Sequence, residues 1–155
     1  MLKVSELREF VNLAKADNDQ ITGDLITASE DRYVRYARDI RHVDDDVYLI
    51  ALLPGARPIG NNEDNLRFAN SLSFMIIRKL DTTAGDEVYE QAFSVTQDAA
   101  LKFVDLMVKQ IKAFPAHCVF KYFELSTLQI LPVENFHQTN GWDISISLKS
   151  SYRTA

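Results

Sequence analysis

The unbroken run Val47-Tyr48-Leu49-Ile50-Ala51-Leu52-Leu53 constrains the fold more than any other part of this 155-residue chain. A membrane-spanning helix needs ~20 apolar residues, so a run this short must be buried in protein. It lacks the alternation of a strand with one wet face. It therefore reads as a central strand covered on both sides, which demands elements packed above and below a sheet. Pro54-Gly55 is predicted to stop it.

Two further segments supply the sheet around it. Leu66, Phe68, Leu72, Phe74 and Ile76 alternate with Arg67, Ala69, Ser71, Ser73 and Met75, the period-two pattern of a long strand with one buried face. Trp142, Ile144, Ile146 and Leu148 alternate in the same way with Asp143, Ser145, Ser147 and Lys149. Val119 to Leu131 is aromatic and β-branched, and Pro132 marks its end as an edge strand. Asn140-Gly141, inside a loop over 135–141, predicts a hairpin turn because both residues tolerate positive φ. Tyr89, Phe93 and Val95 share a face if residues 88–95 are extended, which predicts a hairpin with the preceding strand through Asp81 to Asp86.

Helical spacing is clearest at Ala100, Phe103, Val104, Met107, Val108, Ile111 and Phe114. Thr96 is the predicted cap, Lys109 and Lys112 suit the negative helix end, and Pro115 terminates the helix. Leu7, Phe10, Val11 and Ala14 predict an N-terminal helix capped by Ser5, and Asp17-Asn18-Asp19-Gln20 with Gly23 predicts the turn that ends it. Residues 29–42 fit a helix through Tyr33, Tyr36, Ala37 and Ile40, and fit a strand as well; their second half leans to strand. Asp44-Asp45-Asp46 then reads as a solvated turn. The expected architecture is α+β: a mainly antiparallel sheet of about five strands packed against a long amphipathic helix, with an N-terminal helix. No internal repeat or linker interrupts residues 1–155, and ~150 residues can bury roughly two-thirds of their unfolded surface around one core, so one domain is expected.

Charge and ends narrow the function classes. The chain carries 17 Lys and Arg against 22 Asp and Glu, a formal charge of −5, which disfavours broad nucleic-acid or membrane-surface binding. Met1 to Glu6 meets charged and polar residues without an apolar segment, predicting no secretory signal. The single Cys118 cannot form an internal disulfide, which suits a reducing compartment.

Several groupings invite chemistry. His42 with Asp44, Asp45, Asp46, Glu63 and Asp64 contains ligand types for a divalent ion, but consecutive Asp side chains diverge and a solvated turn explains them. Asp17, Asp19 and Gly23 differ from a calcium loop, because the glycine is one place late and the closing Glu is missing. Cys118 beside His117 has the residue types of an activated thiol, although neighbours on a strand diverge and a buried Cys explains it. The sequence contains no G-x-S-x-G, phosphate-binding glycine loop, C-x-x-C or H-E-x-x-H pattern. No catalytic, metal or cofactor residue is therefore assigned. Arg32, Arg35, Arg38 and Arg41 recur every third residue among tyrosines; a solvated surface, an acidic protein partner and nucleic acid are the three readings. Residues 54–65 read as one long loop, the kind that carries function or assembly contacts.

The segment Leu131-Pro132-Val133-Glu134-Asn135-Phe136, followed by Gly141-Trp142-Asp143-Ile144-Ser145-Ile146-Ser147-Leu148, resembles the C-termini of tail terminator and neck proteins of tailed bacteriophages. With the order of elements, the resemblance covers roughly residues 85–150 and transfers no functional residue. It implies a virion protein, present in host cytoplasm during assembly, whose copies form a closed ring, commonly six-membered. Such a ring stops tail-tube growth and docks the head connector, so the implied partners are itself, tube protein and connector. Ring contacts need two different patches per subunit. Arg32, Arg35, Arg38 and Arg41 on one side, and Arg57, Ile59, Asn61 and Asn62 in the loop, are the candidates. The alternative is a cytosolic α+β enzyme or ligand-binding domain with a pocket between the sheet and the helix 97–114.

Overall fold

Leu7, Phe10, Val11 and Ala14 form the buried stripe of α1, Val4–Asp17. The computed structural model in which it stands describes residues 1–40, 46–81, 83–113 and 119–151. Ser5 lies inside the first turn of α1 and is not its cap; the Glu6 carboxylate accepts from the Lys3 amide at 2.7 Å, satisfying a free helix-end donor. Asn18 closes the helix, its amide donating to the Ala14 carbonyl at 3.0 Å.

The remaining elements are β1 (Ile21–Thr27), α2 (Glu30–Asp39), β2 (Val47–Ile59), β3 (Arg67–Lys79), α3 (Asp86–Lys112), β4 (Phe123–Phe136) and β5 (Thr139–Ser151). The five strands make one sheet in the order β1-β2-β3-β5-β4, parallel between β1 and β2 and antiparallel elsewhere. The α+β expectation is met, with β2 near the centre as its apolar run requires.

Several local expectations are corrected. Gly23 lies in β1 and not in a turn. Residues 30–39 are helix throughout, because Ser29 caps them by accepting from the Arg32 amide and Tyr33 and Ala37 bury on one face four residues apart. Pro54-Gly55 does not stop β2: a register shift between Leu52 and Gly55 absorbs the proline as a bulge, and the strand resumes to Ile59. The expected loop over 54–65 is thus half strand. Residues 88–95 are helix, so no hairpin precedes α3, and Thr96 sits mid-helix with its hydroxyl donating to the Ala92 carbonyl at 2.7 Å. The β4–β5 turn is made by His137 and Gln138, both at positive φ as a two-residue type I′ loop requires. Asn140-Gly141 lies in β5, where Gly141 serves close approach: a Cβ there would meet the Ile76 carbonyl oxygen at 2.0 Å. Arg41, His42, Asp44, Asp45, Phe114, Pro115, His117 and Cys118 lie outside the described residues.

Two cores result, one on each side of the sheet. α1 and α3 cover the first face, where Phe10 meets the rings of Phe74, Phe103, Phe120 and Phe123 at 4.5–5.7 Å. Each fully buried phenylalanine there contributes ~1.5–3 kcal/mol by leaving water. Among the described residues the second face carries only α2, whose Tyr33 and Ala37 pack on Leu25, Ile50 and Ile77.

Candidate functional site

A ten-residue helix cannot cover five strands, so the second face of the sheet divides into a covered half and an open half. The covered half is fastened tightly. The Tyr33 phenol lies 2.6 Å from the Thr139 hydroxyl and its ring stacks on Phe136 at 5.1 Å. Burial pushes the Tyr33 phenol up to about 12. Tyr36 is also raised to about 12, by burial first and then by the charges of Asp24 and Tyr48. Lys79 Nζ donates to the carbonyls of Ala37 at 3.0 Å and Ile40 at 2.7 Å, a cation at the negative end of α2. Glu30 pairs with His137 at 2.9 Å across a groove of about 740 Å³ that also takes in Val34, Arg38 and Phe136.

The open half is built from the alternation of β3 and β5. Side chains that face away from the phenylalanine core are here Ser71 and Ser73 on β3, set directly opposite Ser147 and Ser145 on β5. Gly55 of β2 stands beside Ser71, and Glu124 of β4 beside Ser147. Gly55, Ser71 and Ser147 floor a second groove of about 620 Å³, whose walls include Arg57, Ile59, Glu124 and Lys149. Lys149 pairs with Glu124 at 2.6 Å, and Ser73 donates to the Asp143 carboxylate at 2.6 Å.

Beside this floor runs β4, the outermost strand of the sheet among the described residues. Between Glu124 and Gln129, β4 carries four residues where β5 carries one, so the edge bulges outward. Thr127 holds the bulge, its hydroxyl donating to the Glu124 carbonyl at 2.6 Å and accepting from the Ser147 amide at 2.8 Å. Around it Tyr122, Leu125, Ile130 and Leu131 are 53%, 44%, 37% and 54% exposed. Edges of this kind are usually blunted by charge, and the other edge is: on β1, Asp24 is held by Arg8 and, at 3.0 Å, by Lys15.

The predicted site residues fall into separate patches. Arg57 and Ile59 meet in the open groove, Arg38 lines the groove beside His137, and Arg32 and Arg35 are exposed on α2. Asn61 and Asn62 sit at the β2–β3 tip, where Asn62 caps a short turn by accepting from the Asn65 amide at 3.0 Å. The serine floor and the β4 apolar cluster were not singled out from sequence. Alternation placed the serines on one face, but nothing local says whether a helix covers it. The space between α3 and the sheet, expected as a ligand pocket, is filled by the phenylalanine cluster.

Among the described residues no helix is long and apolar enough to cross a membrane. The sequence matches no protein-family model, and none of the curated proteins compared with it matches.

Proposed function

We propose that this chain is a structural virion subunit that joins copies of itself head to tail into a closed ring at the end or neck of a bacteriophage tail, the role that its C-terminal half resembles. The observation that carries this reading is the β4 edge. Tyr122, just before β4, and Leu125, Ile130 and Leu131 on it put exposed apolar side chains along the outermost strand among the described residues, next to a half-open sheet face. Ile130, opposite Ile144, and Leu131, opposite Asp143, face the two sides of the sheet, and exposed apolar side chains along an edge strand mark protein–protein contact. The two edges of the sheet are chemically unlike, which favours a head-to-tail contact over a two-fold one. Tube protein and head connector are the proposed partners of the finished ring.

Native mass measurement over a range of concentrations, alone and with tube protein, tests this. A ring of about six copies is expected. A chain that stays monomeric throughout overturns the reading.

A further inference from the structure

We infer that the open half of the sheet's second face seats the outer ridge of α3 from a second copy of this chain; this deepens the ring reading above and rests on it. The floor and the ridge fit in size. Four strands at about 4.8 Å spacing give a floor about 14 Å wide, against a helix diameter of about 10–12 Å. Gly55, Ser71, Ser73, Ser145 and Ser147 keep that floor low, so a helix can approach closely.

The charges fit as well. The groove is walled by Arg57, with Arg67 exposed on the same face of β3 two residues before Ala69, and by Lys149, whose charge Glu124 on the same wall already answers. On α3 the residues facing away from the core are Glu87, Glu90, Ser94, Asp98, Leu101 and Asp105, spaced by three and four, and all are exposed. They form one ridge about 27 Å long. Residues 80–101 contain five acidic residues and no Lys or Arg, so no cation within that stretch neutralises the start of the ridge. Leu101, exposed on the ridge, matches Leu131, exposed at the border of the floor.

The occupant must come from another molecule. α3 of the same chain is fixed to the opposite face through Ala99, Phe103 and Met107, and cannot reach round the sheet. Floor and ridge lie on opposite faces of one sheet, so each copy offers both, and repeated contact builds a closed ring when the rotation permits.

Charge reversal tests the pairing. Chains carrying R57E/R67E or E87R/E90R should each assemble at least ten-fold more weakly than the wild type; the melting temperature should be unchanged for R57E/R67E and fall only slightly for E87R/E90R, whose arginines meet the positive end of α3. An equimolar mixture of the two variants should recover assembly to within a few-fold, as alternating copies, and one chain carrying all four reversals should assemble alone. The neutral R57Q/R67Q and E87Q/E90Q chains should lie between. If the wild type forms rings and the reversed chains do too, or if the mixture does not recover, the inference is overturned while the ring reading stands. A wild type that never assembles overturns both.

Discussion

The phenol of Tyr33 and the hydroxyl of Thr139, separated by 106 positions in sequence, lie 2.6 Å apart and fasten α2 to the start of β5. Thr139 also donates to the Phe136 carbonyl, so its single proton is already used and the Tyr33 phenol is the donor in the pair. Tyr33→Phe should therefore cost only ~1 kcal/mol, the net worth of a buried hydrogen bond. Tyr33→Ala should cost ~3–5 kcal/mol, because the ring's stacking on Phe136 goes with it. Urea unfolding of both variants separates the two contributions.

Asp24 predicts an acid-sensitive contribution to stability. Burial pushes its carboxyl up, but hydrogen bonds and charge from Arg8 and Lys15 outweigh that and leave it below the ordinary carboxylate value. A carboxyl that binds its proton less readily when folded stabilises the fold above its unfolded pKa of about 3.9, and loses that contribution as pH falls through the lower folded value. Asp24→Asn should lower stability at pH 7 and flatten the stability profile below about pH 5. Melting temperatures from pH 3 to 7 check this, and parallel profiles for the two chains would contradict it.

At Gly141 the requirement is space. Any Cβ would collide with the backbone of Ile76 and Ile77, on the central β3–β5 pair. Gly141→Ala should destabilise by more than ~3 kcal/mol, at the severe end of single substitutions. Gly55→Ala, where a Cβ meets nothing within 4 Å, is the matched control and should shift the urea midpoint little.

Leu131→Gln addresses the β4 edge without setting a second carboxylate opposite Asp143. The side chain is more than half exposed, so folding should change by less than ~0.5 kcal/mol. Ring formation should fall sharply. Sedimentation with parallel circular dichroism reads both, and wild-type assembly by the variant would contradict the edge's proposed role.

How far these features were legible in the sequence depended on the range of the interaction that decides them. β3 and β5 were readable because each has one face on a deep core, so their side chains obey a period of two along the whole strand. The start of α3 was misread because Val88, Tyr89, Phe93 and Val95 have strand-like composition. Ala92, Thr96 and Ala99 are buried at helical spacing, and the segment is tied to distant parts of the chain, the Trp142 indole donating to the Phe93 carbonyl and the Asn18 amide to that of Ala99. β1 escaped notice because Gly23 and Asp24 interrupt its apolar pattern. Gly23 leaves room for the Tyr36 and Tyr48 side chains, and Asp24 answers two cations on α1. Of the candidate patch, Arg57 and Ile59 were named in sequence as loop residues. Their place on a sheet face follows from a bulge at Leu52–Gly55 that only pairing with β3 reveals.

The position of β5 between β3 and β4 has a consequence for how the sheet can come together. β5 follows β4 in sequence, yet it occupies an interior place, pairing residues 67–79 with 139–151. Among the described residues β4 is joined to the sheet through β5 alone. The edge proposed to meet another copy is therefore conditional on the long-range β3–β5 pairing, and a subunit in which that pairing has not formed cannot present it. Joining of copies is thereby reserved for folded subunits.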